Sequence, residues 1–296
     1  MKSGRRINGI AVMTTAIAKA LIVLVIVGFA RPGGVLAQDS EADSSPWEKG
    51  SVQFGGLIAL FDSEVLFGLE GAGNATINGE DLLGLDSSLA VFRVDAFYRP
   101  GKSRRNQLDF TYGSYDRDGS ATLSRELTIG DTTYPIGAHV KSVLDFDLIR
   151  GSYSYAFFQN NVARIALGLG VYAVPLNYGL SIETSGGRSV VDGGDTTLPL
   201  PTIAFRAEVR LYKKLFLKGA ADGMYLEISD FKGSMVDLNL DLEYRAWKHV
   251  GFGLGYNFVS ANVEAQNAHS DYPGADFVGE VTVRFSGLLL YGKVSF

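Results

Sequence analysis

From Val236 to Ala246 every even-numbered residue is apolar, while Asp237, Asn239, Asp241, Glu243 and Arg245 fill the odd positions between them. Successive side chains of a strand point to opposite faces, so this period of two specifies a β-strand with one apolar and one charged face. The pattern recurs along the chain. Val250, Phe252, Leu254, Tyr256 and Phe258 alternate with Gly251, Gly253, Gly255 and Asn257, and Ala163, Ile165, Leu167, Leu169 and Val171 alternate with Arg164, Ala166, Gly168 and Gly170. Ile203 to Leu211 stand against Arg206, Glu208 and Arg210; Phe92, Val94, Ala96 and Tyr98 against Arg93 and Asp95; Leu108, Phe110 and Tyr112 against Gln107, Asp109 and Thr111. In a soluble sandwich the apolar face of such strands looks inward, whereas in a transmembrane barrel it looks at lipid and the polar face lines the lumen.

The N-terminus separates the two cases. Lys2, Arg5 and Arg6 precede an apolar run from Ala20 to Ala30, and Val35-Leu36-Ala37 supplies a small-residue cleavage site, which reads as a secretory signal peptide over residues 1–37. The run between Lys19 and Arg31 is shorter than the roughly 20 residues a spanning helix needs. Arg5-Arg6 has the look of a twin-arginine signal, but a barrel crosses the inner membrane unfolded, which favours the general secretory route. Residues 38–49, rich in Asp, Glu and Ser, read as a flexible periplasmic leader, and residues 50–296 as one domain.

Composition excludes several functions. The chain has no cysteine, so disulfides, thiolate catalysis and lipoprotein anchoring are ruled out. Its net charge of −5 becomes more negative once Lys2, Arg5, Arg6, Lys19 and Arg31 leave with the signal, which argues against a nucleic-acid partner. No apolar helix long enough to span a bilayer follows the signal, so any crossing of a membrane falls to strands.

Three further features favour the barrel. The polar faces mix charges with glycine, as a narrow lumen requires. Short polar turns at Pro100 to Asn106, Gln159 to Asn161, Lys213-Lys214 and Lys248-His249 alternate with longer Gly/Asp/Ser-rich loops, the asymmetry of periplasmic turns and extracellular loops. The chain ends on a strand. Counting by turns predicts strands near 52–62, 88–99, 107–118, 139–157, 162–180, 198–212, 214–228, 233–247, 249–265 and 277–296. The expected fold is all-β, a transmembrane antiparallel up-and-down β-barrel of ten strands, with eight or twelve as the other even counts. Several strands outrun a bilayer and should project as an extended ribbon. Near Leu148 the apolar parity switches, which predicts a β-bulge or a change of environment there.

The ending GLLLYGKVSF resembles the C-terminal signature of bacterial outer-membrane barrels, with apolar residues at Leu288, Leu290 and Val294 leading to a terminal Phe296 and Gly292 interrupting the row. Taken with FDSEV in the first strand, TINGEDLLGLD at 76–86, FRVDAFYRP at 92–100, LPLP at 198–201 and LEYRAWKHVGFGLGYN, the mature chain resembles a family of Gram-negative outer-membrane β-barrel proteins. The resemblance implies a porin-like barrel in the cell outer membrane and brings no substrate or catalytic residue. It also implies outer-membrane lipid and lipopolysaccharide as surroundings. During biogenesis it implies the barrel assembly machinery, which reads the terminal strand, and periplasmic chaperones.

Strand parity places Arg93, Arg150, Arg164, Arg206, Arg210, Lys218 and Arg245 in the lumen with Asp95, Asp109, Glu208, Asp222, Asp237, Asp241 and Glu243. Isolated buried charges are costly, so these groups should pair as a plug, the alternative being a narrow conduit for small solutes or hydrophobic molecules. Arg206, Glu208 and Arg210 are expected to meet Asp237, Asp241 and Glu243, or to reach them through Lys218 and Asp222. The loop Asn74 to Ser88 carries Glu80, Asp81 and Asp86. It reads as a solvated acidic loop whose Leu82, Leu83 and Leu85 fold over the barrel mouth, since it lacks the ligand spacing of an EF-hand and a divalent cation is the lesser reading. Only His139, His249 and His269 are available as histidine bases. An omptin-like surface hydrolase would need paired acids and an Asp-x-His spacing that are absent, so no catalytic, metal or cofactor site is expected.

Overall fold

A computed structural model describes residues 45–296, apart from 68–74, 130–131, 185–186, 229–230 and 266–278. The signal segment and residues 38–44 lie outside the described residues. The chain forms β1 (Gly50–Phe67), β2 (Ala75–Asn78), one helical turn α1 (Gly79–Leu82), β3 (Ser88–Tyr98), β4 (Asn106–Tyr115), β5 (Asp118–Thr122), β6 (Leu127–Ile129) and β7 (Thr132–Tyr134). It continues through β8 (His139–Gln159), β9 (Ala163–Thr184), β10 (Gly187–Tyr212), β11 (Leu215–Ile228), β12 (Phe231–Tyr244), β13 (Val250–Ala265) and β14 (Gly279–Ser295).

Ten of these strands make a closed antiparallel barrel, in the ring order β1, β3, β4, β8, β9, β10, β11, β12, β13, β14, with β14 paired back onto β1. Strand β2 pairs with the top of β1, β5 pairs with β8, and β6 and β7 form a separate hairpin. The expected number of strands and the up-and-down order are those observed. Both chain ends and the tight Lys213-Lys214 turn lie at one end, here called the lower end, where Phe296 N donates to Gly50 O at 2.9 Å and Gly50 N to Phe296 O at 3.1 Å. Strands β8, β9 and β10 run well past the nine to eleven residues of a membrane crossing, and their upper halves pair with one another as the expected ribbon.

The parity expected from the sequence is the parity observed. Outward positions form an apolar belt: Leu169 is 69% exposed, and Leu288, Leu290, Val294 and Phe296 of the terminal strand all stand on the outer surface. Inward positions include Arg93, Arg164, Arg206, Asp222 and Glu243, all buried. The glycines of β13 are spacers in this lumen. A Cβ on Gly253 would lie 2.1 Å from Tyr291 Cζ, and one on Gly255 2.1 Å from Asp241 Oδ1, so a larger residue at either position would displace a lumen side chain.

The switch near Leu148 has a different cause from a bulge. Pairing of β8 with β9 lapses at Asp147 and Leu148, opposite Pro175, yet the register is the same on both sides, Phe146 to Leu176 and Ile149 to Ala173. Proline has no N–H to give the ladder. Even-numbered residues of β8 face inward throughout, and what changes is the lumen. Val140, Leu144 and Phe146 are buried in the upper half, and Arg150, Ser152 and Ser154 in the lower half. The bulge in this pair lies at Ala156 to Phe158, close to the lower end.

Because Leu169 sits midway along the exposed stretch of β9, Leu169→Arg should destabilise the barrel by about 2–4 kcal/mol in lipid vesicles, whereas Val143→Arg, above the belt, should change stability by less than about 0.5 kcal/mol. Denaturant unfolding of the reconstituted protein measures both, and equal effects would contradict the placement of the belt.

Candidate functional site: the charged lumen

The lower half of the lumen holds most of the charged residues expected there, and several reach across it. Arg99 at the end of β3 ion-pairs with Glu208 of β10, four strands away around a ring of ten, and Arg164 of β9 shares that carboxylate at 3.4 Å. Arg150 of β8 donates to Asp222 of β11 at 2.9 Å, and Arg206 grips the same carboxylate with two nitrogens at 2.9 and 3.0 Å. Arg206 also lies 3.8 Å from Asp109. Arg93 pairs with Asp95 two residues along β3 at 2.9 Å and donates to Asn239 of β12, again four strands away, at 3.3 Å. Asp237 accepts from Tyr172 of β9 at 2.8 Å and from Asn239 and Asn257 at 2.9 and 2.8 Å. A two-nitrogen grip on a carboxylate adds orientation as well as strength.

The expected pairing of Arg206, Glu208 and Arg210 with Asp237, Asp241 and Glu243 is corrected. Arg206 is held by Asp222 on the neighbouring strand, and Glu208 by Arg99 and Arg164. Asp237 is held by neutral donors, and Glu243 by Lys218, by Lys293 at 2.7 Å and by Arg245 at 3.1 Å. The nearest inward position across a ladder is the adjacent strand's, and β11 stands between β10 and β12. Arg210 lies on the same inward face, its Nε buried without a hydrogen-bond partner among the described residues. Asp241 borders an internal cavity of about 100 Å³ together with Arg93, Lys218, Asn239, Arg150 and Glu208. A polar cavity of that size suits a few ordered waters.

Above the charges the lumen is apolar. Phe61, Tyr115, Phe146 and Phe285 meet ring to ring, with Tyr115 stacked on Phe146 at 4.8 Å and Phe285 5.2 Å from Phe61. The loop expected to be solvated and acidic caps this cluster. Glu80 accepts from the Ser63 backbone N–H at 2.9 Å and from Arg117 at 2.6 Å. Arg117 is fully buried, donates to Ser63 Oγ and to Asp86 O, and lies 4.0 Å over the Phe61 ring. Burial draws the Arg117 guanidinium below its ordinary pKa, and the contact with Glu80 opposes that shift. Leu83 and Leu85 are buried as expected against Leu123, Tyr134, Val140, Leu144 and Ile182, whereas the side chain of Leu82 lies outside the described residues. Gly84, at φ +69°, approaches the backbone of Ser120, where a Cβ would come within 2.5 Å of the carbonyl oxygen. Glu80 is thus taken up by an arginine.

Arg99, Lys293, Tyr172 and Asn257 were legible by the same parity rule extended a residue or two, since each continues an inward row. Arg117, Trp47 and Glu48 carried no such signal, because loops have no period. The leader segment 38–49 is docked in its described residues rather than free, with Trp47 buried at the lower mouth. The histidines stand apart. His139 is at the top of β8 with Nδ1 3.1 Å from Thr122 Oγ1, His249 is at the lower end with Nδ1 2.9 Å from Ser295 O, and His269 lies outside the described residues.

No protein-family model matches the chain, and no curated protein sequence matches it. Solved structures similar to it are outer-membrane barrels. The outer membrane protease OmpT from Escherichia coli is 9% identical over 88% of this chain and 100% of that one, with a TM-score of 0.46. The toluene transporter TodX from P. putida is 6% identical over 84% and 90% at 0.35, and the Neisserial surface protein A 12% identical over 84% and 97% at 0.30. The chain has the fold of an outer-membrane β-barrel. That statement rests on its own strand pairing and apolar belt, and the similar proteins differ in what their names say they do.

Removing one member of the Arg150–Asp222–Arg206 group should leave a buried charge uncompensated. Arg206→Ala is expected to cost about 3–5 kcal/mol and Asp222→Ala at least as much, with the double variant costing less than the two summed by roughly 1 kcal/mol or more. Unfolding midpoints of the four proteins in vesicles provide the cycle, and strict additivity would show that the pair does not interact.

Proposed function

We propose that the chain is exported through the secretory pathway, inserted in the outer membrane, and acts there as a structural or interaction barrel of the cell envelope with a closed lumen. The observation that carries this reading is the set of contacts across the lumen. Arg99 to Glu208 and Arg93 to Asn239 each join strands four apart in a ten-strand ring, and the aromatic cluster above them fills the next level. Narrow barrels fill their interior with side chains, and only much wider ones leave an aqueous channel. With the short turns in the periplasm, the long upper halves of β8, β9 and β10 stand outside the cell, where they and the capped loop offer a surface to lipopolysaccharide or to the surroundings. No step of this reading uses a catalytic group.

The second reading, a narrow conduit, draws on the cavity beside Asp241. Planar-bilayer recordings of the purified barrel separate the two. The closed reading expects no steady conductance from the wild type. It expects channel activity only when cross-lumen partners are removed together, as in Arg99→Ala with Arg93→Ala. A steady wild-type conductance that is independent of those residues would overturn the closed barrel and establish the conduit.

A further inference from the structure

The lower mouth of the barrel is occupied by the chain's own N-terminal segment, and the way it is held is more elaborate than anchoring a strand end requires. Trp47 is 1% exposed, its Nε1 donates to Asn160 O in the β8–β9 turn at 2.8 Å, and its ring meets the edge of Phe216 at 6.3 Å. The guanidinium of Arg245 lies 3.5 Å over that same Phe216 ring. Glu48 ion-pairs with Lys293 of β14 and, at 3.2 Å, with Arg245, whose Nη1 also donates to Pro46 O at 2.6 Å. From the β3–β4 turn Arg104, at the uncommon φ of 54°, donates to Trp47 O.

The site has spare positive charge. Lys218, Lys293 and Arg245 gather here around two carboxylates, Glu243 and Glu48, and the Nη2 of Arg245 is buried without a partner among the described residues. Only Glu48 of these two carboxylates comes from outside the barrel wall. Without it, three cations would face Glu243 alone, a cost that seating a carboxylate relieves. An aromatic slot beside Phe216 with cations around it is complementary to a short segment carrying an aromatic residue followed by an acid.

We propose that the lower mouth is a binding site for an aromatic–acidic peptide segment, filled in cis by Pro46-Trp47-Glu48, so that the N-terminal segment is a latch closing this end of the lumen. Since Glu48 stands just before β1 and Lys293 is on β14, the latch also ties together the two strands whose pairing closes the barrel. Its partners lie on β14, on the segment after β12 and on the β8–β9 and β3–β4 turns, so the site exists only once the ring is complete. The latch is a separate claim from the closed lumen, and its test reads a different signal.

The chain has two tryptophans, and the second, Trp247, is 67% exposed on the outer surface. Trp247→Phe therefore leaves Trp47 as the sole reporter in the full, reconstituted protein. Its emission should be blue-shifted and severalfold less sensitive to iodide than that of a free Pro-Trp-Glu-Lys peptide. Adding Glu48→Gln should raise iodide quenching severalfold and shift the emission to the red, while the folded barrel persists as a heat-modifiable band on electrophoresis. Arg245→Gln should act in the same direction. Trp47 as accessible to iodide as the free peptide in the parent would overturn the proposal, as would unchanged quenching in both charge variants. Bilayer conductance measured on the Glu48→Gln protein distinguishes the two claims: released Trp47 with no conductance leaves the charged lumen as the seal.

Discussion

The pairing of β1 with β14, from Ser51 with Ser295 to Phe67 with Gly279, is the constraint on which everything else depends. Inside a bilayer no water is present to satisfy a free strand edge, and each unpaired backbone group costs several kcal/mol, so a sheet in lipid must close. Closure at ten strands sets a narrow bore. A narrow bore determines what its inward positions can be, because side chains from strands four apart come within hydrogen-bonding reach of one another. Arginine is long enough to make that reach and has donors enough for more than one partner, and Arg93, Arg99, Arg150 and Arg206 all use it so.

The lumen is layered, and the layers follow from where water can enter. The lower half is charged and paired, while the upper half is aromatic and aliphatic around Phe61, Tyr115, Phe146 and Phe285. A loop then covers the apolar layer, and its one deeply buried cation, Arg117, is matched to Glu80. Each end is thereby closed by chain that does not belong to the barrel wall, the upper by residues 79–87 and the lower by Pro46-Trp47-Glu48. The glycines on β13 belong to the same packing problem. Gly253 and Gly255 leave the volume that Tyr291 and Asp241 take.

Strand β8 shows how local chemistry and environment separate. Its inward row runs unbroken from Val140 to Ala156, so the geometry never changes, but the residues selected for that row change from apolar to polar as the row passes from the apolar layer into the charged one. Seen as a string, the change in composition is indistinguishable from a shift of parity. Pro175 on the neighbouring strand removes a ladder bond at the same level, which is a local gap and not an insertion.

What the sequence by itself determined was everything that follows from a period of two: the strands, their number, which side chains face lipid, and which charges share the lumen. That information is local, since each residue's face is set by its neighbours along the chain. The partners were a matter for the tertiary structure. Arg206 goes to Asp222 and Glu208 to Arg99 because the ring order and the stagger between strands decide which inward side chains come level, and neither is written in any one strand. The seating of Trp47, Glu48, Glu80 and Arg117 was likewise decided only in the folded chain. Those residues lie in segments without periodicity, and the sites that receive them are assembled from strands and turns far apart in sequence, so they have no existence until the barrel has closed.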